Sequence, residues 1–280
     1  MVLESIISSL HAERRPEEMV IYGFMTATIA LLLSIWVFPA YASFAMVTFT
    51  VMAILPLMIH VMKLEKEKQE SKNSKGLLEH KRVVLFFICL FMGFTLAFVF
   101  WFLLLPTDLS TDVFRLQMNT ITDINSPTGS AISQSHTFGN IFVNNLRVLS
   151  LSILFSFIFS SGAIFILVWN ASVVAVAMGS VFKMVVAAGE ASSATYFWAA
   201  SFAALRYLVH GIPEVTAYFI GGLAGGIISF TILDYKLGLS KLFKKSYRPL
   251  KDATYLIIGA LILLVISALI EVFITPILIQ

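Results

Sequence analysis

The chain has 280 residues, 59% of them hydrophobic and 12% charged, with a mean hydropathy of +0.91. Soluble domains carry roughly half apolar and about a quarter charged residues, so lipid has to cover much of this surface; a water-soluble globule is excluded and an all-α transmembrane bundle is expected. The single cysteine, Cys89, excludes an internal disulfide and a cysteine metal cluster. The net charge of +3 is gathered in two basic loops, which suits an anionic lipid leaflet and not a nucleic acid.

Residues 1–18 read as an amphipathic interfacial helix, with Leu3, Ile6, Ile7 and Leu10 on one face. Residues 19–62 form a transmembrane hairpin: spans near 19–38 and 44–62 with a turn from Pro39 to Ser43. The stretch 63–82 holds seven Lys/Arg and four Glu and reads as a charged cytoplasmic loop or short helix. The remaining 83–280 form one membrane domain. Its first span runs from Val83 to Leu105 and stops at Pro106. The polar segment 106–140 follows and includes a short interfacial helix from residue 137.

A fourth span is expected near 146–169 and a fifth near 171–188, with Asn170 as its N-cap. Residues 196–212 are too short to cross unaided, and Gly211 and Pro213 break the helix, so this piece reads as a re-entrant half-helix beside a full span at 214–233. A basic loop, 234–252, precedes the last span, near 253–275. The expectation is seven crossings plus one half-helix. Loops 63–82 and 234–252 carry seven and six basic residues, against one in 106–136. The positive-inside rule then puts the N-terminus in the cytoplasm and the C-terminus outside.

Ionisable groups in the spans are few, and each is costly in lipid. Arg206, His210 and Glu214 form the densest set, around the HGIPE turn at 210–214. Asn144, Asn145 and Arg147 stand at the mouth of span four, Asn170 between spans, and Glu271 near the C-terminus. One reading is a polar site at membrane depth. The other is structural, with Glu214 capping the turn and paired with Arg206 or Arg147, and Arg147 otherwise snorkelling outward. Lys183 and Glu190 also read as snorkelling. His210, Glu214 and Glu271 are of types that bind zinc. No HExxH pattern accompanies them, so neither a metal nor any other cofactor is expected. Gly221, Gly222, Gly225 and Gly226 allow close helix approach, inside the bundle or at a homodimer seam. No hydrolase or kinase signature occurs, and no catalytic residue is assigned.

Four stretches together resemble the stage II sporulation protein M family. They are the NNLR helix and its continuation over 140–179, the short helix after it, the HGIPE turn with its apolar flank to 226, and IEVFITP at 270–276. The family pattern falls here on Asn144, Asn145, Arg147, Asn170, His210, Gly211, Glu214, Glu271 and Pro276. The opening LES…AERRPEE is similar to archaeal members. In spore-forming bacteria the family protein joins two peptidoglycan-degrading proteins that drive membrane migration. The resemblance implies a multi-pass plasma-membrane scaffold or remodelling partner of other membrane or envelope proteins, and not an enzyme. A transporter or channel working through the HGIPE turn is the second expectation, and an intramembrane metal-dependent hydrolase the third.

Overall fold

The computed structural model describes residues 15–71, 81–125, 134–159, 162–189, 192–236 and 243–278; the interfacial helix expected before residue 15, residues 72–80 of loop 63–82, and Glu190 lie outside these. The regular structure among the described residues is helical. The helices are α1 (Glu18–Val37), α2 (Ala42–Ser71), α3 (Lys81–Leu104), α4 (Thr107–Val113), α5 (Arg115–Asn125), α6 (Gln134–Phe159), α7 (Ala163–Ala188), α8 (Ser193–Lys236) and α9 (Phe243–Leu269). A π-helical turn, Ile270–Ile274, follows α9 and leads into a last turn, Thr275–Leu278. Seven helices are long and apolar enough to cross a membrane. In hydrocarbon each backbone N–H and C=O needs a partner within the chain, which a helix supplies from its own residues.

Two expectations about helix boundaries are corrected. Span four ends at Phe159 and span five begins at Ala163, not at Asn170. Gly162 immediately precedes α7, where a Cβ would overlap the Phe155 carbonyl, and Ser156 Oγ accepts the first N–H of α7, from Ala163, at 3.2 Å. Asn170 is inside α7, and its amide donates to the Ile166 carbonyl at 2.7 Å, so it caps nothing. The short helix expected from residue 137 is the first part of α6.

The second correction concerns 196–212. It is no separate half-helix, because α8 runs unbroken through Gly211 and Pro213 for 44 residues. At 1.5 Å per residue α8 is about 66 Å long, roughly twice the hydrocarbon thickness. Pro213 removes the N–H that would serve the Val209 carbonyl. One residue on, Ser267 Oγ of α9 donates to the His210 carbonyl at 2.8 Å. Packed neighbours and hydroxyls of this kind accompany prolines that are carried inside membrane helices.

Packing centres on α8, which lies against α6, α7 and α9, while α3 bridges α1 to α7. Small residues set the closest crossings. Gly23 of α1 meets Gly93 of α3: a Cβ on Gly23 would lie 2.8 Å from the Leu90 carbonyl oxygen, and one on Gly93 would overlap the Val20 carbonyl oxygen. Gly221 and Gly225 of α8 likewise sit on Leu149, Ile153 and Ser156 of α6, while Gly222 faces Ala163 of α7; Gly226 is buried too. Aromatic rings fill the wider gaps, as where Phe87 of α3 stacks on Phe219 of α8 with centroids 4.9 Å apart.

The polar segment after α3 folds into the bundle end. Phe114, at the junction of α4 and α5, is fully buried, with its ring edge-on to Phe98 and Phe102. Gln117 is also fully buried. Its Nε2 donates to the Ser43 carbonyl (3.3 Å) and to Ser172 Oγ (3.2 Å). Ser43 Oγ donates to the Val113 carbonyl (2.8 Å), accepts the Leu116 N–H (3.1 Å) and lies 3.1 Å from Gln117 Oε1. This network fastens α5 to α2 and α7.

Two stability predictions follow from this packing. Gln117→Ala strands buried partners and should cost about 1–3 kcal/mol, whereas Asp112→Ala on the exposed side of α4 should stay within about 0.5 kcal/mol. Gly93→Leu forces α1 from α3 and should cost about 1–3 kcal/mol or more. Thermal melting in detergent checks both; an unchanged midpoint for either damaging variant refutes the packing account behind it.

Candidate functional site

The candidate site forms where α8 meets the end of α9. His210 and Glu214 stand one helical turn apart on α8, so their side chains share a face. Glu271 arrives from the π-helical turn. In that turn the Thr275 N–H reaches back five residues to the Ile270 carbonyl, and Pro276 has no N–H to offer Val272. The wider turn carries one residue more than an α-turn and changes the direction of Glu271 relative to α9. One ligand atom each from His210, Glu214 and Glu271 then lies within 4.8 Å of the others, although 57 residues separate the two glutamates.

Hydrogen bonds fix the surroundings. Tyr218 OH donates to Glu214 Oε1 at 2.7 Å, one turn further along α8. Thr275 Oγ1 donates to the Ile270 carbonyl at 3.2 Å and lies 3.3 Å from His210 Nδ1. A hydroxyl has one proton, and a carbonyl can only accept. With the Thr275 proton on that carbonyl, the hydroxyl accepts from His210 Nδ1–H, and Nε2 is the ring atom that keeps a lone pair. Asn145 of α6 is 5% exposed and its carboxamide lies beside the Glu214 carboxylate. Its Nδ2 is nevertheless buried with no hydrogen-bond partner among the described residues.

The depth of the site follows from its neighbours. An apolar crevice beside it is lined by Ile88, Phe91 and Met92 of α3 and by Tyr207, Gly211 and Val215 of α8. Residues 88–92 lie near the middle of α3, so the 210–214 turn sits at mid-span. Ionisable groups at that depth are costly unless paired. Among the described residues no Lys or Arg comes within ion-pair distance of Glu214 or Glu271.

The expected cluster thus divides. Asn145, His210, Glu214 and Glu271 come together. Asn144 and Arg147 are exposed on α6, on the side away from Asn145. Asn170 is bonded to its own helix. Arg206 is half-buried, with its guanidinium 5.9 Å from the neighbouring Tyr207 ring. The expected pairing of Glu214 with Arg206 or Arg147 is not found among the described residues, and the Tyr218 hydroxyl bonds Glu214 instead. Nor does Glu214 sit at a helix start, since α8 is continuous there. Lys183 does not simply snorkel: its ammonium lies 4.1 Å from the Phe102 ring centroid, a cation–π contact that offsets part of its burial.

Tyr218 and Thr275 escaped sequence reasoning. The available signal was periodicity, because Tyr218 continues the 210–214 face one turn further. Thr275 carried no such signal, since only the π-helical turn brings it to His210.

The family comparison matches the model of stage II sporulation protein M over residues 82–276, which includes every residue of this site. A relative in Methanocaldococcus jannaschii, described as an uncharacterized protein, is 30% identical over 203 residues, covering 66% of this chain and 90% of that one. No solved structure matches. With its seven membrane-length helices and a family match over more than half its length, the chain belongs to the stage II sporulation protein M family of multi-pass membrane proteins.

Proposed function

We propose that this protein is a plasma-membrane scaffold that holds other membrane or envelope proteins in place during membrane remodelling. The observation that carries this reading is the α4–α5 cap. A polar segment is locked onto the bundle by the buried Gln117 network, while Thr107, Asp108, Asp112 and Arg115 stay exposed on its other side. A fixed polar surface of this kind presents a docking face without an ordering cost at each encounter. The family's bacterial role in a multi-protein complex supports the same reading. The distribution of Lys and Arg supports an N-terminus in the cytoplasm, with the cap and the C-terminus outside. The Gly-rich face of α8 is used inside the bundle, so a homodimer would need another surface.

A photo-crosslinking residue placed at Asp112 should give discrete adducts with other envelope proteins in native membranes, and one at lipid-facing Ile29 should not. Adducts absent at Asp112, or equal at both positions, overturn the scaffold reading.

Transport is the second reading, and the mid-span His210–Glu214–Glu271 group favours it. Purified protein in proteoliposomes would then carry an ion or small solute, and Glu214→Gln would abolish at least nine-tenths of the flux with its elution profile and melting midpoint unchanged. Flux at the level of empty liposomes removes this reading.

A further inference from the structure

The geometry points to a divalent cation of the zinc class bound by His210, Glu214 and Glu271, tying the middle of α8 to the end of α9. Four observations converge on this site.

The first is the donor set. One imidazole and two carboxylates on two chain segments place their ligand atoms within 4.8 Å of one another. Ligand atoms around a tetrahedral zinc lie about 3.4 Å apart, so the group closes on an ion with side-chain shifts of under about 1 Å. The mixture of one nitrogen and two oxygens suits zinc and its first-row neighbours, whereas magnesium and calcium prefer six or more oxygens.

The second is the support of the histidine. His210 Nδ1 lies 3.3 Å from Thr275 Oγ1, whose own proton has the Ile270 carbonyl as an acceptor at 3.2 Å; with that proton so placed, Nδ1–H donates and Nε2 keeps the lone pair. Metal-bound histidines are commonly held this way, with the second ring nitrogen donating to a neighbour. Tyr218 plays the matching part for Glu214, taking Oε1 and leaving Oε2 for the ion.

The third is charge. Two carboxyl groups face one another with no ammonium or guanidinium within ion-pair distance among the described residues. They cannot both stay ionised there without a counter-charge, so they take up protons or a cation, and one divalent cation neutralises both.

The fourth comes from a different helix. Asn145 Nδ2 is buried beside the Glu214 carboxylate, near enough to interact with it yet short of a well-formed hydrogen bond. A buried amide donor that is poorly met is costly. Three protein ligands leave a fourth tetrahedral position, and a water or hydroxide there would accept the Asn145 bond. This assignment is independent of any partner protein, so it stands or falls separately from the scaffold reading.

The test uses the full chain purified in detergent, stripped with chelator, and returned to buffered zinc. Elemental analysis should give about one zinc per chain for the native protein. His210→Ala and Glu271→Gln should retain less than a tenth of that, and Arg206→Ala should retain all of it. Thr275→Val, which removes the histidine's support and the side-chain bond to the Ile270 carbonyl but no ligand, should weaken zinc binding about 10- to 100-fold. A hundredfold excess of magnesium should not displace the ion. Native protein that elutes as a single species and melts cooperatively yet takes up less than 0.1 zinc per chain overturns the assignment. So does full occupancy in Glu271→Gln. If the His210 and Glu271 variants fail to fold, uptake by the native chain and the affinity of Thr275→Val decide.

Discussion

The structure depends on one constraint: inside a bilayer, a backbone hydrogen-bonding group that is not met by the chain is not met at all. The constraint is sharpest at Pro213. A proline in the middle of a long membrane helix leaves a carbonyl without its donor, and a soluble helix would usually stop there. Here α8 continues through the proline, and α9 places Ser267 on the next carbonyl along, that of His210. That bond ties α9 to α8 beside the proline, close to where the π-helical turn meets His210 and Glu214.

Close packing supplies the remaining order. Lipid tails are as apolar as leucine, so helices in a membrane associate through fit and not through exclusion of water. The chain solves this in two ways. Glycines bring backbones into contact where α1 crosses α3 and where α8 crosses α6. Phenylalanines fill the wider gaps around α3, and two of them also hold the α4–α5 junction in the bundle. The cap is thus built from the same core as the spans, with Gln117 as the polar rivet.

Much of this was legible in the sequence, for particular reasons. The seven crossings follow from long apolar runs, which hydropathy alone reports. Asn145, His210, Glu214 and Glu271 stood out because charge and amide groups are rare in such runs. What could not be read was the direction in which each side chain points. Arg206 is four residues from His210, and Arg147 two from Asn145, yet neither pairs with the glutamates of the site. The end of α6 at Phe159 and the start of α7 at Ala163 were hidden because the small residues between them barely lower the hydropathy, while Asn170 looked like a stronger signal. The half-helix was a reasonable inference from Gly211 and Pro213, and failed because a packed membrane helix can run through a proline. The burial of Gln117 had no local signature at all.

The π-helical turn at the end of α9 has a consequence for helical phase. Each residue of an α-helix advances the chain by about 100° around its axis. Absorbing one extra residue in the turn Ile270–Ile274 therefore offsets the phase of everything beyond it from the phase of α9. Ser267 and Thr275 are eight residues apart, which is not a whole number of α-helical turns, yet both reach His210, one at its carbonyl and one at its ring. The turn acts as a phase corrector that lets one short stretch of chain grip the same residue twice.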